Sequence, residues 1–301
     1  MSKNFQNLMR LVFALIVIVI GNYVIIAQTT LTGDWKAEVR SEKNPDKIQL
    51  SFERRTERGR NQHGSSFNYA DLQGLSREQA TNGGAVKFSL VREAGTIECE
   101  GSFSGGKGAG TFRFTSNPQF VSAMKTRGFD FEADMSRRKN QGLEERLFSA
   151  AMVNVTTALA DDLLSADFGK LDTEDLFKAA IFKVDSQFMR EMKASGFPGM
   201  GMEELVKARI FKIDADFVKE VVAMGFDKEP FESLVKMRIF KVTPEFINEA
   251  RNEGLNNLDI EDLVKMRIFK IDSAFIRQAK AEGVPLEVEK LVQKRIGVWN
   301  K

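Results

Sequence analysis

The residue types that could carry chemistry are few in this chain. It holds one histidine, His63, and one cysteine, Cys99, among 301 residues. A lone cysteine has no partner for an internal disulfide, and a lone histidine has none for a histidine-based metal cluster. His63 lies in the polar stretch Gly59-Arg60-Asn61-Gln62-His63-Gly64 and reads as a solvated loop residue. Cys99 falls on the apolar side of an alternating run, which predicts a small buried hydrophobe rather than a nucleophile. The segment from Gly101 to Gly108 nearly spells a phosphate-binding loop, with Gly101, Gly106 and Lys107 at the right spacing. Position 108 is glycine where a hydroxyl must hold magnesium, and a strand follows where a helix N-terminus should cradle the phosphate. The segment therefore predicts a hairpin turn. No catalytic residue, metal ligand or cofactor follows from these groups, and the chain reads as non-enzymatic.

Charge supplies two further candidates. Arg54, Arg55, Arg58 and Arg60 cluster at an expected hairpin tip, diluted by Glu53 and Glu57. Such a tip is able to touch an anionic lipid headgroup or an acidic glycan. Lys178, Lys207, Lys236 and Lys265 recur every 29 residues, with Arg209, Arg238, Arg267 and Arg295 beside them. One reading of this ladder is an anion-binding track. The other is that the bases complement helix dipoles and are offset by acids at the helix starts. The whole chain carries 44 basic and 42 acidic residues, which gives no excess for a nucleic-acid partner.

The elements that position these residues fall into two regions. From Asp34 to Thr115 the apolar residues alternate. Trp35, Ala37 and Val39 form one set, Ile48, Leu50 and Phe52 the next, then Val86, Phe88 and Leu90, then Ile97, Cys99 and Phe103, and finally Phe112 and Phe114. A period of two puts one face on a core and the other in water. Turn signals at Asn44-Pro45-Asp46, Asn82-Gly83-Gly84, Glu93-Ala94-Gly95 and Gly105-Gly106 separate the runs. Ser76-Arg77-Glu78-Gln79 has the form of a capping box and predicts a short helix. Residues 31–116 are thus expected to form an antiparallel β domain of five to seven strands, a one-sided sheet or a small barrel.

Residues 117–301 are a repeat. Ile-Phe-Lys-(Val/Ile) begins at Ile181, Ile210, Ile239 and Ile268, each 29 residues after the last. Phe188, Phe217, Phe246 and Phe275 keep that register, as do Gly196, Gly225, Gly254 and Gly283. Leu147 to Met152 mirrors Leu176 to Ile181, and Phe120 to Gly128 repeats the spacing of Phe188 to Gly196. Six units result, each predicted to be two short helices stacked on its neighbours, with an inserted exposed loop at 130–142. Asp185, Asp214, Thr243 and Asp272 stand where N-caps belong, and the glycine eleven residues on ends the first helix. The fold class is α+β in separate domains: a β domain followed by six helix pairs.

The Thr/Asp-x-x-Phe helix start, the terminal glycine and the Leu-Val-Lys-x-Arg-Ile-Phe-Lys-Val link resemble the short repeats appended to some bacterial BlaR-type regulatory membrane metalloproteases. They are also similar to repeats in exported bacterial proteins that carry a small β domain. The resemblance covers about residues 117–301 and implies an extracytoplasmic interaction or sensing module. A His-Glu-x-x-His motif is absent from the sequence, so the protease activity of those relatives does not carry over.

The first residues bear on the compartment. Lys3 and Arg10 precede Leu11 to Ala27, a 17-residue apolar run interrupted by Gly21 and Asn22. A basic start followed by such a run is an export signal, or an uncleaved anchor, over residues 1–27. Either form delivers the rest outside the cytoplasmic membrane. Its removal leaves 42 bases against 42 acids, a neutral mature chain. The expected partner is another envelope or extracellular protein, with membrane contact only through the N-terminal segment and no nucleic acid. The alternative is binding of anionic lipid or glycan through the arginine tip or the Lys/Arg ladder.

Overall fold

A computed structural model of the chain describes residues 30–39, 44–56, 59–133, 142–166 and 168–299. The expected export segment, Arg58 and residues 134–141 of the expected insertion lie outside the described residues, as does the side chain of Arg55. The chain divides into two compact units, one built on residues up to 118 together with Gly142–Met152, the other on Gln119–Gln141 and Val153–Lys301.

The first unit is a seven-stranded antiparallel sheet in the order β3-β2-β1-β7-β6-β5-β4. Its strands are β1 (Thr30–Glu38), β2 (Lys47–Thr56), β3 (Gly59–Asn68), β4 (Leu72–Gln73), β5 (Gly84–Arg92), β6 (Gly95–Ser104) and β7 (Lys107–Ser116). A 3₁₀ turn over Tyr69–Asp71 precedes β4, and α1 (Arg77–Asn82) precedes β5. With β3 and β4 at its two ends the sheet stays open, which decides between the one-sided sheet and the closed barrel.

The alternation works as expected: Trp35, Ile48, Leu50, Phe52, Leu90, Ile97, Cys99 and Phe114 are all at most 1% exposed. Trp35 anchors the middle. Its indole N–H donates to the Glu100 carbonyl at 3.1 Å, and its ring lies 5.2 Å from Phe88 and 5.7 Å from Phe103. Ser76 and Gln79 form the expected capping box on α1. The unit also takes in α3 (Leu143–Val153), whose Phe148 ring sits 5.9, 5.4 and 5.4 Å from those of Phe52, Phe112 and Phe114. By register α3 is a repeat helix; by packing its Phe148 closes the apolar face of the sheet.

The other helices of the repeat region are α2 (Pro118–Thr126), α4 (Thr157–Leu164), α5 (Thr173–Phe182), α6 (Ser186–Ala194), α7 (Met202–Phe211), α8 (Ala215–Ala223), α9 (Phe231–Phe240), α10 (Pro244–Asn252), α11 (Ile260–Ile268), α12 (Ser273–Ala281) and α13 (Val288–Arg295). With α3 they make six pairs, an even-numbered helix A followed by an odd-numbered helix B. Thr156, Asp185, Asp214, Thr243 and Asp272 cap successive A helices, each accepting from the N–H three residues on. The four A helices α6, α8, α10 and α12 end at Gly196, Gly225, Gly254 and Gly283, with φ between 79° and 105°. The next N–H then closes back onto the helix, as Phe197 does onto the Met192 carbonyl at 3.1 Å.

Four of the B helices end differently, on a lysine. Lys183, Lys212, Lys241 and Lys270 hold φ between 52° and 59°, with Asn154 in the same register at 58°. Leu176, Leu205, Leu234, Leu263 and Leu291 are at most 1% exposed and make the core between repeats. Helices this short are marginal in isolation, so this burial against neighbouring pairs is what holds them.

The first pair carries one correction. Of the loop expected at 130–142, Phe131 is fully buried, 5.5 Å from Phe120 and 6.1 Å from Phe177. The Asp130 carboxylate accepts from the N–H groups of Glu132 and Ala133, a local turn that presents Phe131 inward.

Candidate functional surfaces

The structure accounts for both lone chemical groups. Cys99 is 1% exposed, and burial pushes its thiol up to about 12, so it is protonated and shielded. His63 is not in a loop: it lies on β3, paired opposite Phe52, with its ring 5.6 Å from Phe148. Burial lowers its pKa, while Glu145 pulls the other way. Sequence reasoning missed this position because β3 reads Gly-Arg-Asn-Gln-His-Gly-Ser-Ser-Phe-Asn and shows no alternation.

The phosphate-loop lookalike is a hairpin. Ser104 pairs with Lys107 across Gly105 and Gly106, which have φ of 56° and 75°, the two positive values a tight primed turn demands. Gly101 serves Trp35: a β-carbon there would stand 2.8 Å from the indole Cζ2 and 2.2 Å from the Ala109 carbonyl oxygen.

Two arginines of the expected tip already face carboxylates. Arg54 pairs with Glu145 at 3.0 Å, and Arg60 pairs with Glu53. Arg55 pairs by backbone with Arg60 across the β2–β3 hairpin.

The lysine ladder is an inter-repeat clasp. Lys207 of α7 reaches Glu232 of α9 at 2.7 Å. Lys178 pairs in the same way with Glu203, Lys236 with Glu261 and Lys265 with Glu289. The acids that open each helix B thus meet the bases of the helix B before it. The hydrogen bond to Glu203 raises the pKa of Lys178.

The arginines stack instead. The guanidiniums of Arg209, Arg238, Arg267 and Arg295 lie 3.7, 3.6, 3.7 and 4.1 Å over the rings of Phe188, Phe217, Phe246 and Phe275. Arg238 also donates to the Lys212 carbonyl at 2.9 Å.

A cavity of about 540 Å³ opens over the polar face of the sheet, lined by Asp34, Lys87, Glu98, Glu100 and Arg113 among others. Lys87 and Glu100 close on each other at 2.6 Å and stay solvated at 75% and 64% exposure. Lys87 and, more weakly, Arg113 hold the Glu100 carboxyl below its ordinary value. Thr32 and Thr111 contribute the hydroxyls of this lining, which holds no imidazole or thiol, and among the described residues no group of three or more His, Cys, Asp or Glu is placed to hold a metal ion.

Comparison with protein families, with characterised proteins and with solved structures finds no match for this chain.

Proposed function

We propose that the chain is an exported, non-enzymatic protein–protein interaction or sensing module whose working surface is the helical array. The observation that carries this reading is the 29-residue geometric repeat. One core leucine, one Lys–Glu clasp and one Arg–Phe stack recur from pair to pair. Stacked pairs present extended rows of equivalent side chains, a surface suited to a long partner. The partner would be another envelope or extracellular protein, in keeping with the apolar run at 11–27 and with the resemblance to repeats on regulatory membrane proteases. The clasped lysines, with Arg54 and Arg60, favour this over anion capture through those six residues, because each already faces a carboxylate.

Cross-linking and capture with the full chain from its native envelope tests the reading. A single protein retained in high salt is the expected outcome. Recovery of lipid or glycan alone, released by salt, would overturn it.

A further inference from the structure

Nine large apolar side chains stand out as exposed among the described residues, and five of them are isoleucines at one register. Ile181, Ile210, Ile239, Ile268 and Ile296 are each 50–54% exposed, and Val298 beyond them is 59% exposed. They occupy the C-terminal turns of the B helices and the residues that follow α13. Neighbouring helices pack with axes about 8–10 Å apart, so the isoleucines form a row of single knobs rather than a groove.

Two residues beyond four of these isoleucines stand Lys183, Lys212, Lys241 and Lys270, all exposed. Unlike the clasped lysines, none of these four ammoniums has a carboxylate within ion-pairing distance among the described residues. The nearby carboxylates of Asp185, Asp214 and Asp272 are turned to the N–H groups of Phe188, Phe217 and Phe275 at 2.8, 2.9 and 2.8 Å. Arg238 and Arg295 add charge at the same edge by donating to the carbonyls of Lys212 and of Phe269 and Lys270. Up to two full positive charges per helix end outweigh the roughly half negative charge of the helix dipole there.

Both features carry a cost that the repeats retain. A left-handed backbone is unfavourable for lysine, and Asn154 shows that the same turn accepts the better-suited asparagine. A half-exposed isoleucine could be polar without disturbing the leucine core.

We propose that this edge docks on an anionic phospholipid bilayer, with the lysines on headgroup phosphates and the isoleucines entering the acyl boundary. Unpaired cations complement the lipid charge. Protruding aliphatic knobs suit a deformable surface, whereas a protein partner would need pockets shaped to receive them. Kept as an anchor, the apolar run at 11–27 would hold the chain beside a membrane, and this contact is independent of the protein-interaction reading.

Trp299, with Lys294 5.7 Å from its ring, lies at the end of the row. Trp35, the other tryptophan, is 1% exposed and so insensitive to lipid. The full chain is reconstituted into phosphatidylcholine vesicles with brominated acyl chains, with or without phosphatidylglycerol, and quenching of Trp299 is read. Only chain that floats with the vesicles is read, for every variant, so the signal reports docking of the edge. Strong quenching is expected only with phosphatidylglycerol, and it should weaken in high salt. Each lysine is expected to change the docking equilibrium about fivefold.

The quadruple variant Lys183→Asn, Lys212→Asn, Lys241→Asn, Lys270→Asn keeps the turn geometry and should fall to the phosphatidylcholine level. The quadruple variant Ile181→Ser, Ile210→Ser, Ile239→Ser, Ile268→Ser should do the same with helical content intact. The pair Lys207→Gln and Lys236→Gln, taken from the clasp, should quench as wild type. Equal quenching of the unaltered chain on neutral and anionic vesicles overturns the proposal, as does wild-type quenching in either quadruple variant. Lysine-dependent capture of polyglutamate, with the isoleucines without effect on vesicles, overturns it in favour of an acidic protein partner.

Discussion

Trp35 in the sheet and Leu234 in the array are each 1% exposed, yet they depend on the chain in different ways. Trp35 meets Phe52, Phe88 and Phe103 from three other strands, and nothing else among the described residues repeats that arrangement. Leu234 has counterparts at Leu176, Leu205, Leu263 and Leu291, each buried as deeply. The sheet is therefore one cooperative object built from long-range contacts, while the array is a chain of nearest-neighbour contacts. The same loss of apolar burial should be global in the first and local in the second.

The sharpest way to break that contrast is Trp35→Ala. Truncating a fully buried tryptophan costs about 3–5 kcal/mol, close to the whole stability of a small unit. Cys99 reports the outcome: its thiol is protonated and shielded in the folded sheet, with a pKa of about 12, and should be alkylated in a single phase once the variant opens. Labelling in several phases would mean that the sheet is not one cooperative object. Leu234→Ala should cost about 2–5 kcal/mol, and hydrogen exchange should accelerate in α7 to α11 while α5 keeps its protection. Acceleration through every repeat would remove the nearest-neighbour description.

Phe148 sharpens the comparison because its sequence register is the array's while its packing is the sheet's. Its register equivalents are Phe177, Val206, Val235 and Val264, so valine is a residue the repeat accepts there. If the repeat governed this site, Phe148→Val would be nearly neutral. Its ring instead fills the space against Phe52, Phe112 and Phe114, and the expected loss is about 2–3 kcal/mol in chemical unfolding. A smaller effect comes from Arg238→Ala, which removes a guanidinium 3.6 Å over Phe217 and a hydrogen bond to Lys212. About 1 kcal/mol is expected, and Arg238→Lys should recover little of it because the planar donor fork is lost.

These sites also show what a sequence makes legible. Alternation located most of the sheet, and the 29-residue register located the N-caps, the terminal glycines and the core leucines, because each is a local demand of backbone geometry. β3 escaped because ladder hydrogen bonds to β2, not a buried face, hold it: of its ten residues only Phe67 is buried. The role of Phe148 escaped because register says which helix a residue is on but not which body that helix packs against. The left-handed lysines at the B-helix ends carry no glycine to announce them. The fate of the lysine ladder was open as well, since a 25-residue separation between Lys207 and Glu232 becomes a contact only once neighbouring helices lie side by side.

That clasp gives the smallest expected effect and the finest test of how the repeats communicate. Lys207 and Glu232 are 42% and 64% exposed, so water screens their attraction and two long side chains lose rotamer freedom to make it. A double-mutant cycle on Lys207→Ala and Glu232→Ala should give a coupling of about 0.2–1 kcal/mol, shrinking toward zero in high salt. Leu234, by contrast, should lose the same amount in any salt. A clasp coupling as large as the leucine effect would mean that ion pairs, not burial, transmit stability along the array. In that case local unfolding would spread or stop according to ionic strength, and the isoleucine rows would be bystanders to it.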